Sequence, residues 1–132
     1  VDGHILYIVG RVRCVSEPVT LFFRHLTLVA GGASPEQLLA LFNDPSAGQQ
    51  WLEGWHAAGP KDVEAMRTVN PIFIPRNHRV EEAIQGALRG DYAPFERLNA
   101  VLARPFEEQP EHAEFENPPK AGEVVEHTFC GT

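Results

Sequence analysis

The sequence predicts a mainly α fold of five or six short helices, followed by an irregular tail that is rich in proline and glutamate. Apolar residues recur at helical spacing in several windows, which is the pattern of an amphipathic helix. Glycine or proline ends these windows, and residues that favour the first positions of a helix begin several of them. Together these observations predict short helices that are separated by tight turns.

The first sixteen residues, VDGHILYIVGRVRCVS, are the least clear part of the chain. Their β-branched apolar run between Gly3 and Gly10 indicates either a short strand or the remnant of a helix. Because the chain starts with Val1 rather than methionine, we expect it to be cut from something longer. The chain has three predicted parts: an N-terminal segment of residues 1–16, a helical module of residues 17–104, and an acidic, proline-rich tail of residues 105–132.

Two helices are predicted next. In the segment EPVTLFFRHLTLVAGG, four apolar residues fall at helical spacing before a glycine pair: Leu21, Phe22, Leu26 and Val29. In the segment SPEQLLALF, Ser34 begins a capping box, in which its hydroxyl accepts from the third helical amide and Gln37 reaches back. Pro35 suits the first helical position because its φ is already close to the helical value.

Two further windows continue the helical module. The pair Asp44 and Pro45 repeats the cap-and-proline pattern and begins a helix that ends at a glycine and a proline. This helix carries Trp51 and Trp55 four residues apart, a spacing that favours packing on a core over a groove for a partner. The next helix, KDVEAMRTV, ends at an asparagine and a proline, because the residue before proline is biased away from helical backbone angles.

An αα-hairpin is predicted near residues 77–103. Asn77 is the expected N-cap of its first helix, Gly90 takes the C′ position after it, and Asp91 is the expected cap of its second helix. The first helix is expected to carry a clean apolar stripe: Val80, Ala83, Ile84, Ala87 and Leu88. The second helix is expected to carry its apolar residues on one face: Phe95, Leu98 and Leu102. A link this short makes the two helices antiparallel.

The net charge of −7 comes mostly from the tail, which contains seven glutamates and one lysine between Pro105 and Thr132. A phosphate backbone would repel such a chain, so nucleic acid is not an expected partner. No apolar run approaches the roughly 18 residues that cross a bilayer, and no signal-peptide pattern begins the chain. With only Cys14 and Cys130 available, no disulfide framework is expected, and a reducing cytoplasm is the predicted location.

Metal and thiol chemistry have little support among the residues. The six histidines are spread along the chain: His4, His25, His56, His78, His112 and His127. None stands four residues from another, and the usual zinc-binding spacings are absent, so no metal site is predicted. Cys130 and His127 would point to opposite faces of an extended segment, which does not favour a catalytic pair. The sequence therefore predicts no catalytic and no cofactor-binding residue.

The stretch NPIFIPRNHRVEEAIQGALRGDYAPFERLNAVLARPFEEQPEH, residues 70–112, strongly resembles the region near the end of the selenoprotein O family. The segments PRNH and ARPF are its most specific parts, and the terminal TFCGT is similar to the family ending. The resemblance covers about residues 20–132. Nine residues are identified as its structural motif: Asn70, Pro71, Pro75, Arg76, Asn77, Gly90, Asp91, Arg104 and Pro105.

The resemblance implies that the parent protein is a pseudokinase of bacterial type with a kinase-like fold. Such proteins bind ATP and Mg²⁺ in kinase-like lobes and transfer AMP, rather than phosphate, to Ser, Thr or Tyr hydroxyls of proteins. It implies no cofactor in this chain, whose partners would be those lobes of the same polypeptide and the parent's protein substrates. Cys130 stands where the family carries a cysteine or selenocysteine, which implies redox control through a second cysteine in the kinase-like part.

Three interpretations follow. The chain is the C-terminal region of a protein adenylyltransferase, a stand-alone helical module that binds another protein, or a small metal or thiol enzyme. The order of the family motifs along the chain favours the first interpretation. Helices taken from a larger protein are further expected to expose an apolar face of more than a few hundred Å².

Overall fold

The computed structural model describes residues 17–125, and the chain divides into two compact units between Asn70 and Pro71. Over the described range there are six α-helices and one 3₁₀ helix, and no strand is found among these residues. The predicted mainly α fold is therefore confirmed. Residues 1–16 and 126–132, including both cysteines, lie outside the described residues.

The first unit contains four helices: α1 Glu17–Ala30, α2 Glu36–Leu39, α3 Pro45–Ala57 and α4 Val63–Val69. Six buried apolar residues form its core: Phe22, Leu26, Val29, Leu38, Phe42 and Leu52. The ring of Phe22 packs against those of Phe42 and Trp51, with centroids 5.9 and 5.5 Å away. Trp51 and Trp55 are half-buried and pack on this core, as their spacing favours.

Aspartate side chains cap two helices of the first unit. Asp44 Oδ1 accepts from the amide of Ser46 at 2.9 Å, and Pro45 is the first residue of α3, as predicted. Asp62 Oδ1 accepts from the amide of Ala65 at 3.0 Å at the start of α4. A cap of this kind contributes about 1 kcal/mol, so it defines where a short helix begins.

The capping box predicted at Ser34 is not formed. Pro35, rather than Ser34, holds the N-cap position of α2, and its backbone is already helical at φ −77° and ψ −4°. Ser34 Oγ accepts a long bond of 3.5 Å from the amide of Glu36. Its hydroxyl stands one residue too early to reach the third helical amide, which the box requires.

The second unit contains α5 Asn77–Leu88, α6 Ala93–Leu102 and a 3₁₀ helix, Pro110–Phe115. The helices α5 and α6 pack against each other, so the predicted αα-hairpin is confirmed. Six buried apolar residues form the core of this unit: Ile72, Phe73, Ala83, Leu98, Val101 and Phe115. Phe115, which lies in the predicted tail, is 6% exposed and belongs to this core.

A tight turn joins α5 to α6. Gly90 has a φ of +81° and its amide donates to the Ala87 carbonyl, so the predicted C′ glycine is confirmed. The next amide, that of Asp91, donates to the carbonyl of Gly86 at 2.9 Å. A Cβ atom on Gly86 would lie 2.8 Å from the Asp91 carbonyl oxygen, so only glycine allows the chain to come this close.

Two predicted caps are displaced by one residue. Asn77 is the first residue of α5, and Arg76, with an extended backbone, is the N-cap. Asp91 precedes Tyr92, the N-cap of α6, although Asp91 Oδ1 still accepts from the amide of Ala93 at 3.1 Å. Each helix therefore begins one residue away from the position that the capping preferences of Asn77 and Asp91 predict.

The apolar stripe predicted on α5 is only partly buried. Ala83 is buried and Val80 is half-buried, whereas Ile84 is 48% and Leu88 76% exposed. Phe95, at the start of α6, is 53% exposed. Ala83 packs with Leu98 and Val101 of α6, so α6 covers only one edge of the stripe.

Within residues 17–125, none of the helices combines the length and the apolar character needed to span a membrane.

Candidate functional site

The NPIF and ARPF segments are joined by one carbonyl group. The amides of Ile72 and Phe73 both donate to the carbonyl oxygen of Pro105, at 2.8 and 3.1 Å. Ile72 and Phe73 are 7% and 1% exposed, so these bonds also satisfy backbone groups at buried positions. Two parts of the resemblance that lie more than thirty residues apart in sequence are thus brought together in the second unit.

Arg76 is the central residue of the PRNH segment. Its side chain is 1% exposed, and Nη2 donates to the carbonyl of Glu116 at 2.7 Å. A guanidinium group stays charged in a protein, so its burial is tolerated only with well-placed acceptors. Arg76 thereby ties the start of α5 to the segment that follows the 3₁₀ helix, forty residues along the chain.

A second arginine holds the same segment. Arg79 Nη2 donates to the carbonyl of Glu114 at 3.1 Å, and Nη1 forms an ion pair with Glu82 at 2.9 Å. Its guanidinium carbon lies 4.9 Å from the centroid of the Phe115 ring, within the range of a cation–π contact. Arg76 and Arg79 together fix the 3₁₀ helix against α5, and we call this pair the arginine clamp.

Gln109, which lies in the predicted tail, donates hydrogen bonds at the C-terminal end of α6. The side chain is 2% exposed, and its Nε2 donates to the carbonyls of Val101 and Arg104, at 3.0 and 2.9 Å. The last carbonyls of a helix have no partner within the helix, and here a glutamine amide supplies one. Sequence reasoning missed Gln109 and Phe115. The sequence signal that could have indicated burial in this part of the tail is Phe115, the one large apolar residue between residues 106 and 124.

Three other motif residues lie at separate places along the chain. Pro75 is exposed before α5, and Arg104 is exposed and pairs with Glu107 at 3.3 Å. Asn70 ends the first unit, where its amide donates to the carbonyl of Met66. The predicted redox residue, Cys130, lies outside the described residues.

A polar pocket of about 520 Å³ lies beside α5. His78 and Arg79 contribute to its lining, and three carboxylates do so as well: Glu81, Glu82 and Glu123. A hydrogen bond from the amide of Lys120 lowers the pKa of the Glu123 carboxyl, with smaller contributions from nearby positive charges. Among residues 17–125, no group of three or more histidine, cysteine or acidic side chains is arranged to hold a metal ion.

The first unit carries an apolar cavity of about 540 Å³ on its surface. We define the Trp55 groove by its apolar lining residues on α1, α3 and α4: Phe23, Leu26, Trp55, Met66 and Val69. Lys61 stands at its rim, with Nζ 4.6 Å from the centroid of the Trp55 ring. The groove is therefore suited to apolar side chains rather than to a charged small molecule.

Several bacterial proteins are similar to most of this chain, although no protein-family model matches it. Protein nucleotidyltransferase YdiU of Bradyrhizobium sp. strain BTAi1 is 44% identical over 126 residues, 89% of this chain and 26% of the relative. The protein of that name from Ruegeria pomeroyi is 51% identical over 96 residues, 69% of this chain and 20% of the relative. The one from Rhizobium etli strain CIAT 652 is 46% identical over 122 residues, 86% of this chain and 24% of the relative.

The chain thus spans about a quarter of the length of the curated relatives that it matches. The matched residues extend over most of the two units described above. The resemblance found in the sequence is therefore confirmed, and this chain belongs to the selenoprotein O family of protein nucleotidyltransferases.

Proposed function

We propose that this chain is the C-terminal region of an enzyme that transfers AMP from ATP to Ser, Thr or Tyr hydroxyls of proteins. The observation that carries this proposal is the identity of 44–51% with relatives named protein nucleotidyltransferase, over 69–89% of the chain. Its partners are the kinase-like lobes of the same polypeptide and the protein substrates of the enzyme. The sparse cysteines favour the cytoplasm as its location.

The nucleotide and its Mg²⁺ are assigned to the part of the polypeptide outside this chain. The polar pocket beside α5 would be a poor site for a triphosphate, because Glu81, Glu82 and Glu123 contribute negative charge to its lining. Arg79, a cationic group in that lining, already binds Glu82 and the Glu114 carbonyl. The proposal therefore assigns no nucleotide contact to these residues.

The structural role is supported by the polar groups that bind the backbone of the second unit. The Pro105 carbonyl, the arginine clamp and Gln109 all bind backbone groups of the second unit. Buried, hydrogen-bonded polar groups of this kind make a rigid support rather than a reactive site. We assign to this region the bracing of the lobes that hold the nucleotide.

The regulatory part of the proposal concerns Cys130. The resemblance places Cys130 where the family carries a cysteine or selenocysteine. A two-electron oxidant would take two electrons and two protons from the thiols of Cys130 and of a second cysteine in the kinase-like part, which would join as a disulfide, and a thiol reductant would reverse the step. This assignment is supported by the family resemblance of the terminal TFCGT.

The position of the radioactive label in ATP tests the transfer reaction. We expect the full-length polypeptide, with Mg²⁺ and a protein acceptor, to transfer label from the α-phosphate of ATP and none from the γ-phosphate, because AMP carries only the former. Label from the γ-phosphate alone would identify a kinase and overturn the proposal, as would no transfer of either. A gene that encodes no further domain would instead support the stand-alone interaction module.

The chain provides a matched control for the redox role. We expect a reductant to change the activity of the wild-type protein and of the Cys14→Ser variant by the same factor. The Cys130→Ser variant should give one activity with and without reductant, because the disulfide cannot form. A response that survives in Cys130→Ser, or disappears in Cys14→Ser, would show that the wrong thiol has been assigned.

A further inference from the structure

We propose that the Trp55 groove is the surface through which this region docks on the rest of its own polypeptide. The occupant is an apolar segment of the part that the relatives contain and this chain does not span. This inference rests on the proposed function and adds to it the surface that transmits the bracing.

The groove is a preformed apolar concavity. Its walls come from three helices of the first unit, and the core residue Leu26, 3% exposed, lies at its base. Trp55 is held in place by its neighbour Trp51, because the two rings stack with centroids 6.3 Å apart and planes 18° apart. A rigid aromatic wall of this kind loses little conformational entropy when a partner binds.

A large apolar residue at the edge of the groove is exposed to solvent. Val69, the last residue of α4, is 70% exposed, whereas the neighbouring Met66 packs on the core. A single exposed valine needs no explanation, but this one continues the apolar wall formed by Met66 and Trp55. Burial of such a wall contributes about 25 cal/mol for each Å² of apolar surface removed from water.

The size of the groove favours a tethered occupant. A stable complex between separate proteins buries roughly 1,200–2,000 Å² in total, and a cavity of about 540 Å³ takes in only a few side chains. A segment of the same polypeptide needs no such area, because tethering gives it an effective concentration in the millimolar range. About three quarters of the length of the relatives is available to supply that segment.

Photo-cross-linking in the full-length polypeptide tests this docking. A benzoylphenylalanine residue placed at Val69 should cross-link to a peptide of the same molecule outside residues 1–132. Leu88 is the matched control, because it is also the last residue of its helix and is 76% exposed but lies outside the groove. The control should give at most a tenth of the cross-linked product.

Any other outcome of the cross-linking experiment would contradict the proposed docking. Products that join two copies would assign the groove to a second molecule, and products confined to residues 1–132, or none, would leave it without the proposed occupant. Equal yields from the two positions would remove any special role of the groove. Because this measurement needs no activity, a failed AMP-transfer assay and a failed cross-link remain distinct results.

Charge substitution gives a second measurement. Lysine is well placed at the C-terminal end of any helix, so Val69→Lys and Leu88→Lys should affect their own helices alike. If the groove is covered in the full-length protein, Val69→Lys buries a charge and lowers the thermal unfolding midpoint, whereas Leu88→Lys leaves it unchanged. Equal midpoints for the two variants would contradict the proposal.

Discussion

Replacement of Arg76 by methionine tests the arginine clamp. Methionine keeps most of the aliphatic volume of the buried side chain but removes its charge and its 2.7 Å hydrogen bond to the Glu116 carbonyl. A hydrogen bond that involves a charged group contributes about 1.5–3 kcal/mol. Methionine also avoids the desolvation cost of a buried charge. In other proteins this gain has made the replacement of buried charged residues by apolar ones neutral in stability.

We expect the lost hydrogen bond to dominate, because the carbonyl left behind is itself partly buried. The predicted loss for Arg76→Met is therefore about 1.5–3 kcal/mol of unfolding free energy. The matched control is Arg104→Met, because Arg104 is also a motif arginine but is 56% exposed and pairs with Glu107 at 3.3 Å. An exposed pair contributes about 0–1 kcal/mol, so the control should change little.

The assay is urea unfolding of the chain followed by far-ultraviolet circular dichroism. Both variants are compared with the unmodified chain at one pH and one salt concentration. If Arg76→Met lies within about 0.5 kcal/mol of the unmodified chain, or if Arg104→Met costs as much, the buried bond does not stabilise the second unit. A gain in stability would show that the desolvation cost of the guanidinium had been underestimated.

Two glycines of α3 and one histidine of α1 supply the remaining predictions. A Cβ atom on Gly48 would lie 2.8 Å from a core phenylalanine ring, so Gly48→Ala should destabilise the chain by about 1–3 kcal/mol. Gly54 has open space around it, so Gly54→Ala should stabilise by up to about 1 kcal/mol; urea unfolding measures both, and equal signs would contradict the packing at Gly48. Burial, and then the charge of Arg24, hold the pKa of His25 below its ordinary 6.5. Protons then bind the unfolded chain more readily, so stability should fall as the pH drops below about 6.5. His25→Gln should flatten that slope, and an unchanged slope would rule out His25 as its source.

Local signals in the sequence predicted much of the helical order. Asp44 with Pro45 begins a helix and Gly90 ends one, because each acts on backbone groups within a few residues. The apolar period of α5 indicated a buried face, but it could not say which edge of that face would meet another helix. Ile84 and Leu88 belong to this stripe and are exposed.

Contacts between distant residues could not be predicted in the same way. Nothing near Arg76 in the sequence indicates that its partner is a carbonyl forty residues further along. Gln109 lies among glutamates and prolines, where composition indicates a solvated segment, and yet it is almost completely buried. The family resemblance identified Arg76 and Pro105 as motif residues, and the structure shows which backbone groups they bind.

The arginine clamp has a consequence for how the acidic part of the chain responds to its surroundings. Arg76 and Arg79 bind the segment after α6 through the carbonyl oxygens of Glu116 and Glu114. Main-chain oxygens do not titrate, and every amino acid supplies one. Acidification that neutralises the glutamates should therefore leave these two main-chain hydrogen bonds in place.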